Sequence, residues 1–423
     1  MEETFKRIKV LAIPSDTVGG VGFFRTIQPH FQLHLQYSDD FDITIDPMAM
    51  MKGVDYIKDF DIINIHNASL YRFDFDTLKT FVTTLINDGK VIVADVDDLW
   101  SLHQQHPLYA SMKLNKNDEK TVFLLSNATC VTTTTPIFAD KIRTYNKNVY
   151  VLPNAINPED KRFAVNRKKS DLLRVGFIMG ASHEKDLEIM SGFIEKLPKD
   201  IIDKIQIVLC GFDTRGSMRT INKDTGEVVS RPIKPEESVW ARYEKLVTGN
   251  YSIMDKNYEN FLKLYVPNVQ YPNVEKEHYK RCWTKDIDHY YEHYSELDVL
   301  LVPLADNDFN RYKSQLKVIE SAFANVAVVA SDFGPYQIDL KNAINKGGDI
   351  NPDGNALLVD TKKNHKQWSK YIKMLADNPD LVKMLQENLH KTICPVYDIR
   401  EVTIKRADLY KEMVAMANKN KNS

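Results

Sequence analysis

The chain has 423 residues, of which 43% are hydrophobic and 27% are charged. This composition is typical of a globular protein, and the length favours two domains over one. The formal net charge is −2, so no overall basic field predicts nucleic-acid binding. The four cysteines are far apart and predict reduced thiols. No apolar run approaches the ~18 residues of a membrane span, and the amino-terminal MEETFKR is charged, so we expect a cytoplasmic protein without a signal peptide.

The chain begins with a short apolar strand, Ile8–Ile13, followed by a glycine-rich loop, Pro14–Gly22. A helix is predicted over Phe23–His34, with an interruption near Pro29. A glycine loop between a strand and a helix allows a ligand to approach the backbone closely. A plain tight turn explains the same residues equally well.

Apolar segments alternating with helical segments continue through the first 160 residues. This alternation predicts a parallel, doubly wound sheet of five or six strands. The further strands are predicted at Phe41–Ile45, Asp61–Ile65, Val91–Ala94, Asn127–Thr132 and Val149–Pro153.

Polar residues follow two of these strands. His66 comes directly after one, and Asp95, Asp97 and Asp98 in DVDDLW end the next. Three carboxylates in four residues repel one another unless they recognise something polar or cationic. We keep three interpretations: a Mg²⁺ or Mn²⁺ site, a group that deprotonates an acceptor hydroxyl, or a helix cap.

The second half opens with a similar unit. A strand at Leu173–Met179 leads into the loop GASHEKD and a predicted helix, Leu187–Leu197. His183 and Lys185 lie in this strand-to-helix turn, which is typical of a diphosphate site at a helix N-terminus. A simple cap by Ser182 is a poorer explanation, because Lys185 stands where a capping box has Glu.

After a strand at Ile205–Cys210, residues 214–281 are polar and rich in tyrosine. A connection of this length predicts a functional or partly structured insert. Its aromatic residues would suit sugar rings or nucleic-acid bases, but a small helical insert is the simpler interpretation. The aromatic residues considered are Trp240, Tyr243, Tyr251, Tyr258, Tyr265 and Tyr271.

The most informative stretch is Asn310–Gly334, which lies between predicted strands at Asp298–Leu304 and Val326–Ala330. We predict that it begins as a helix with Lys313, Lys317 and Glu320 on one face. With the Ser314 hydroxyl, the two lysines suit a diphosphate, and Glu320 suits ribose hydroxyls. A solvated Lys/Glu face is the alternative.

The segment FNRYKSQLKVIESAFANVAVVASDFGPY resembles the donor-binding segment of GT-B glycosyltransferases, the retaining group 1 or family 4 enzymes that use nucleotide-sugars. Glu320 matches the second glutamate of the Glu-x7-Glu motif of that family, which holds the nucleotide ribose. The first glutamate would fall on Tyr312 and is absent. The sequence KSQLKVIE is similar to that of a divergent bacterial or viral branch of the family.

This resemblance implies an α/β fold of GT-B architecture, with two facing Rossmann-like doubly wound domains. Residues 1–160 would form the acceptor domain, and residues 161–395 the nucleotide-sugar donor domain with an insert at about 214–281. A C-terminal helix, within 396–423 and predicted over Asp398–Asn418, would cross back to the first domain.

The resemblance also implies an enzyme that moves a sugar from a UDP- or GDP-sugar to an acceptor hydroxyl with retention. Neither a metal nor a tightly bound cofactor is expected. The acceptor would be a surface glycan or a hydroxymethylated base of viral DNA; the alternative is a non-catalytic carbohydrate- or nucleotide-binding protein with a decayed site. Candidate catalytic residues are His66, Asp97 and Asp98. Candidate donor-binding residues are Gly20, Gly22, Arg25, His183, Lys185, Lys313, Ser314, Lys317 and Glu320.

Overall fold

The fold was analysed in a computed structural model of the chain. The structure describes residues 6–104, 106, 108–167, 169–213, 215–221, 228–234, 237–249, 277–362 and 364–421. Four of the insert tyrosines noted in the sequence, Tyr251, Tyr258, Tyr265 and Tyr271, lie outside these residues. The part of the chain described forms two six-stranded parallel sheets and one antiparallel hairpin.

The first sheet has the strand order β2-β1-β3-β4-β5-β6, and every neighbouring pair is parallel. Its central strands are rich in Val and Ile and are buried on both faces, as expected for a parallel sheet covered by helices. The strand order reverses between β1 and β3, and ligands of open α/β sheets bind at such a switch point. The strands are β1 (Ile8–Ile13), β2 (Phe41–Ile45), β3 (Ile62–His66), β4 (Val91–Val96), β5 (Cys130–Thr133) and β6 (Val149–Val151).

The second sheet has the order β11-β8-β7-β12-β13-β14, again parallel throughout. This is the strand order of a Rossmann fold, with its switch point between β7 and β12. Its strands are β7 (Leu173–Ile178), β8 (Ile205–Phe212), β11 (Tyr279–Trp283), β12 (Val299–Val302), β13 (Ala327–Ser331) and β14 (Leu357–Val359). The hairpin joins β9 (Ser217–Ile221) to β10 (Val228–Pro232).

Helices connect the strands of both sheets. The longer ones are amphipathic and bury their apolar face, as in Phe75–Asn87, where the side chain of Asp74 accepts the N–H of Thr77 at 2.8 Å and caps the first turn. The α-helices include Gln28–Gln36, Val54–Ile57, Phe75–Asn87, Tyr109–Leu114, Asn117–Asn127, Pro136–Ile142, Glu184–Glu188, Lys199–Ile202, Val239–Thr248, Asp308–Arg311, Leu316–Phe323, Asn364–Asp377, Pro379–Ile393 and Ile399–Lys421.

The chain divides into two compact units. One comprises the described residues of 1–160, 307–319 and 393–423, and the other those of 161–306 and 320–392. Each unit is built around one six-stranded sheet, so the predicted α/β class with two Rossmann-like domains is confirmed. The assignment of one domain to the acceptor and the other to the donor stays a prediction.

The carboxyl-terminal helix, Ile399–Lys421, packs on the first sheet. Its Tyr410 and Met413 are buried in one apolar cluster with Val10, Leu33 and Phe41. The Tyr410 hydroxyl also bonds the buried ring of His30. The predicted return of this helix to the first domain is therefore confirmed.

Two predicted helices are wrong in detail. No break occurs at Pro29; instead the helical segment from Gly20 to Gln36 contains a π-helical turn, Phe23–Ile27, and Pro29 sits in the first turn after it, where its missing N–H is not needed. The helix predicted over Leu187–Leu197 is a short helix, Glu184–Glu188, followed by separate turns. Gly192, with φ +83°, breaks this segment because that backbone conformation does not continue a right-handed helix.

Candidate functional site

In the first unit, the polar residues of interest lie at the carboxyl ends of β3 and β4. His66 is the last residue of β3 and stands opposite Asp95 in the strand register. The strand β4 extends to Val96, two residues beyond the predicted end, so Asp95 lies inside it and is completely buried. The carboxylates of DVDDLW are therefore separated: Asp95 is in the core, and Asp97 and Asp98 follow the strand.

His66 and Asp97 form a pair. The His66 Nε2 lies 3.1 Å from Oδ1 of Asp97, and its Nδ1 lies 3.3 Å from the N–H of Ala68. A backbone N–H can only donate, so in the neutral ring Nδ1 accepts and Nε2–H donates to the carboxylate. Burial acts to lower the pKa of His66, but the Asp97 charge outweighs it and the pKa is raised. His66 is thus placed to orient the Asp97 carboxylate.

Asp98 is exposed but crowded by protein atoms. This crowding, together with the adjacent Asp97 carboxylate, raises the pKa of Asp98 to about 6, and the charge of Lys313 opposes the rise. A carboxylate of this kind is ionised at neutral pH yet basic enough to accept a proton from an acceptor hydroxyl.

Arg25 lies in the π-helical turn and is 1% exposed. Its guanidinium grips Asp95 with Nε and Nη2 at 3.0 and 2.6 Å, and its Nη1 donates to the carbonyl of Leu152 and to Oδ1 of Asn154. Burial acts to lower the pKa of Arg25, but the Asp95 carboxylate outweighs it and keeps the guanidinium charged. The predicted contact of Arg25 with the donor stays a prediction.

The glycine loop after β1 is closed by a residue that the sequence analysis overlooked, Asp16. Its Oδ1 accepts the N–H groups of Val18 and Gly19, and Ser15 donates to Oδ2. Burial acts to raise the pKa of Asp16, but these bonds and one from the Gly22 N–H outweigh it and lower the pKa. The amide of Gly22, one of the two glycines expected at a phosphate, thus already faces a carboxylate. An Asp three residues before a glycine at a helix start is the signal that would have indicated this cap.

The donor-type segment differs from the prediction. A short helix, Asp308–Arg311, ends before Lys313, and a second helix begins at Leu316. Lys313, Lys317 and Glu320 therefore do not share one continuous helical face. Lys313 instead lies with its Nζ 5.1 Å from the centre of the Phe309 ring.

Ser314 lies in the break between these two helices. Its Oγ is 3.2 Å from Nδ2 of Asn154. Lys317 and Glu320 do remain one turn apart on the helix Leu316–Phe323.

Glu320 is completely buried. Its Oε2 accepts the hydroxyl of Tyr294 at 2.7 Å and is 3.4 Å from that of Tyr290, and its carbonyl accepts the hydroxyl of Tyr291 at 2.7 Å. These tyrosines lie in a 3₁₀ turn, Tyr290–Glu296. They fix the carboxylate where it is; its predicted contact with ribose hydroxyls is not tested.

The glycine loop after β7 is held from outside. The hydroxyl of Tyr243, in the insert helix Val239–Thr248, accepts the N–H of His183 at 2.7 Å and donates to the carbonyl of Gly180 at 3.2 Å. The ring of His183 contacts Asp186, whose Oδ1 accepts the N–H of Ala305 after β12. The two loops that flank the second switch point are thus tied together. Lys185 is exposed and pairs with Glu188.

A cavity of about 330 Å³ opens beside this loop. Gly180, Gly211 and Thr284 line it at the ends of β7, β8 and β11, and Trp240 with Arg215 lines it from the insert side. The sequence singled out Trp240 and Tyr243 as aromatic insert residues but gave no reason to place them here. Long-range contacts bring these segments together: β8 pairs with both β7 and β11, and the hydroxyl of Tyr243 reaches the loop after β7.

Within the described residues, no group of three or more His, Cys, Asp and Glu side chains is arranged to hold a metal ion. None of the helices in that part of the chain combines the length and apolar character needed to cross a bilayer.

The fold is that of known glycosyltransferases. Sucrose-phosphate synthase from Thermosynechococcus elongatus aligns with 97% of this chain and 100% of its own, at 13% identity and a TM-score of 0.59. HepE from Anabaena, solved with UDP-glucose, aligns over 96% and 99% at 11% identity and a TM-score of 0.56. A glycosyltransferase from Rickettsia africae aligns over 97% and 99% at 13% identity and a TM-score of 0.56. No family model and no curated protein sequence matches the chain.

These alignments extend over nearly the whole chain and define a GT-B fold, so the predicted architecture is confirmed. At identities of 11–13% they establish the fold alone, and the reaction has to be argued from the site.

Proposed function

We propose that this chain is a glycosyltransferase that moves a sugar from a nucleoside diphosphate sugar to an acceptor hydroxyl. The observation that carries the proposal is the match of 96% of the chain to HepE, whose solved structures hold UDP or UDP-glucose. The chain also carries, at strand ends of this fold, cations for a diphosphate and carboxylates for an acceptor.

On the donor side, the proposal assigns the leaving diphosphate to Lys313, Lys317 and the Ser314 hydroxyl, which belong to one compact unit. Lys185 and His183 are proposed separately as phosphate-recognition residues of the loop after β7. Negative charge develops on the diphosphate as the glycosidic bond breaks, and positioned cations and hydrogen-bond donors stabilise that charge. Lys185 is exposed and held by the equally exposed Glu188, so exchanging this partner for a phosphate costs little.

On the acceptor side, the proposal assigns proton acceptance to Asp98. Its raised pKa brings it closer to the operating pH than an ordinary aspartate, which improves general-base catalysis. Asp97, oriented by His66, would accept a hydrogen bond from the acceptor and hold it in place. Retention of configuration and independence of metal ions belong to the same proposal and come from the family resemblance.

The acceptor itself is proposed to be a surface glycan or a hydroxymethylated base of viral DNA. Incubating the protein with labelled donor and either an oligosaccharide mixture or hydroxymethylated DNA separates the two, because the label appears in only one fraction. The anomeric configuration of the product, measured by proton NMR, tests retention, and activity unchanged by a chelator tests metal independence.

The donor proposal is tested by thermal stabilisation with UDP-, GDP-, ADP- and CMP-sugars, since a ligand that binds the folded state raises its melting temperature. We expect one nucleotide class to stabilise the protein and the shift to fall in Lys317→Ala. Lys383→Ala, a change of an exposed lysine on the helix Pro379–Ile393, serves as the matched control and keeps the shift. Absence of a shift with every nucleotide contradicts the proposal.

One observation favours the non-catalytic alternative. Glu320 is completely buried and already accepts a tyrosine hydroxyl, which leaves less of its carboxylate for a ribose. A nucleotide-sugar that binds but is neither transferred nor slowly hydrolysed, with Glu320→Ala behaving as the wild type in both assays, would support a decayed site.

A further inference from the structure

A chain of hydrogen bonds in the first unit links Asp95, Arg25, Asn154 and Ser314. Asp95 is completely buried and accepts both the Arg25 fork and, at 2.6 Å, the hydroxyl of Thr132. Arg25 then donates from Nη1 to Oδ1 of Asn154 at 3.1 Å, and Nδ2 of Asn154 reaches Oγ of Ser314 at 3.2 Å. Each member belongs to the same compact unit.

The direction of every bond in this chain is fixed by chemistry. An arginine side chain has donors and no acceptor, so the atom of Asn154 that faces Arg25 is its carbonyl oxygen. The other end of the amide is therefore its NH₂ group, which can only donate. Ser314 Oγ must accept this bond, and its own hydroxyl hydrogen points elsewhere.

We propose that Asn154, oriented by Arg25, is a positioning residue that makes the Ser314 hydroxyl a hydrogen-bond donor to the diphosphate of the ligand. This inference rests on the proposed function, in which the segment Asn307–Ile319 binds the diphosphate. The ionised oxygens of a diphosphate only accept hydrogen bonds. A serine hydroxyl that is free to donate can therefore bind them, whereas one whose hydrogen is already used inside the protein cannot.

The burial of the network explains why such an arrangement is stable. Asn154 is 4% exposed and Arg25 1%, so neither can exchange its partner for water without a large loss. The amide is held in one orientation, and the hydroxyl keeps its direction before the ligand arrives. A donor that is already aimed needs no reorganisation when charge develops on the leaving group.

The test compares two substitutions of Asn154 of similar size. Asn154→Asp keeps the acceptor for Arg25 but replaces the NH₂ group by an acceptor oxygen, which turns the Ser314 hydroxyl inward. We expect at least a tenfold weaker Kd for UDP, on the order of one charge-assisted hydrogen bond, with little change in Tm. Asn154→Leu removes both the acceptor for Arg25 and the group that aims the Ser314 hydroxyl, which can still rotate and donate; we expect Tm to fall by about 2–4 °C or more, and Kd to weaken, but less than in Asn154→Asp.

A merely structural role for Asn154 predicts that the leucine variant binds UDP more weakly than the aspartate variant, as well as having the lower Tm, and that result would overturn the inference. The charge introduced by Asn154→Asp could also repel the ligand directly, and Ser314→Ala serves as the control for this effect. Ser314→Ala alone should weaken UDP binding about tenfold. Adding Asn154→Asp to Ser314→Ala should then have a smaller effect than in the wild type. An equal effect in both backgrounds means repulsion only and also overturns the inference.

The probes are UDP and inorganic pyrophosphate, titrated into each variant by calorimetry. If the wild type binds pyrophosphate but no nucleotide, and Asn154→Asp weakens pyrophosphate binding more than Asn154→Leu does, the inference holds and the proposed function is wrong. If the wild type binds UDP and Ser314→Ala binds it with the same affinity, the inference is wrong and the proposed function still holds. Wild type that binds neither probe defeats both.

Discussion

Each sheet has a glycine-containing loop between a strand and a helix at its switch point, and the two loops are held in different ways. The loop after β1 is closed from within, because the Asp16 carboxylate accepts its amides. The loop after β7 is held from outside, because the hydroxyl of Tyr243 reaches it from the insert helix. The first loop closes its amides around its own carboxylate, whereas in the second the carboxylate of Asp186 contacts the His183 ring and the N–H of Ala305.

This difference shows that glycines alone do not define a phosphate site. What decides is the group that already satisfies the loop amides. A resident carboxylate in the first loop repels a phosphate, whereas the acidic residues beside the second loop are balanced: Glu184 pairs with Arg242, and Asp186 contacts His183. We therefore expect phosphate recognition to depend more on the second loop than on the first.

The largest effect should come from the ion pair that follows the first loop. Asp95→Asn leaves the buried Arg25 charge without its carboxylate, and removing one partner of a buried pair costs about 3–5 kcal/mol. Urea denaturation measures the loss. Asp55→Asn, which alters an exposed pair, is the control and should change stability little. Equal stability of the two variants would mean that Arg25 finds another partner.

The second largest effect should come from adding a methyl group to each loop, which should destabilise the protein in the first loop but not in the second. A Cβ on Gly22 would lie 2.0 Å from the carbonyl oxygen of Asp16, while one on Gly180 meets no atom within 4 Å. Gly22→Ala should therefore destabilise the protein by about 1–3 kcal/mol, the usual cost of overpacking. Gly180→Ala should stay within about 0.5 kcal/mol of the wild type. Thermal unfolding of both checks this, and a costly Gly180→Ala would show that the second loop is also closely packed.

The pH dependence of transfer tests the chemistry placed in the first unit. Because the pKa of Asp98 is raised to about 6, its carboxylate is mostly ionised at pH 7 and mostly protonated at pH 5. We expect kcat/KM for the acceptor to fall about tenfold over that interval, as for a general base that must be ionised. Asp98→Asn should remove this dependence on pH along with most of the activity. A flat profile between pH 5 and 7 would contradict the assignment.

The smallest effect concerns the outside support of the second loop. Tyr243→Phe removes the hydroxyl that bonds His183 and Gly180, at a cost of about 1 kcal/mol in unfolding free energy. It should also weaken nucleotide binding, because the loop loses its fixed position. Tyr371→Phe removes a buried hydroxyl bonded to Gln367 and should lower stability alone. Similar nucleotide affinities in the two variants would show that the loop does not need this support.

The fold could largely be predicted from the sequence, because apolar runs such as Ile8–Ile13 and Ala327–Ser331 are local signals of buried parallel strands. The break between the two helices at Lys313 could not be predicted, because the sequence KSQLK has ordinary helical propensity. Its neighbours Phe309 and Tyr312 instead pack on His106 and Phe138, far away in the chain.

The candidate site was predicted as a set of residues, but not how they are joined. Asp95 and His66 were expected from their positions at strand ends, and the structure places them opposite each other. Asn154 and Tyr243 take part through contacts that span 160 and 60 residues, and no local pattern reveals such partners. Asp16 accepts the amides of residues two and three positions away, so its role could have been found from the sequence.

The helix Ile399–Lys421 also affects how the protein is made. Chains are synthesised from the amino terminus, and domains generally fold as units as they emerge from the ribosome. Here the first sheet is complete after Val151, but Val10, Leu33 and Phe41 stay uncovered until Tyr410 and Met413 have been translated. The second unit is finished earlier, since its last residue is Thr392. The amino-terminal half of this protein is therefore the last part to mature, and a nascent chain stalled before residue 399 would present that apolar surface to chaperones.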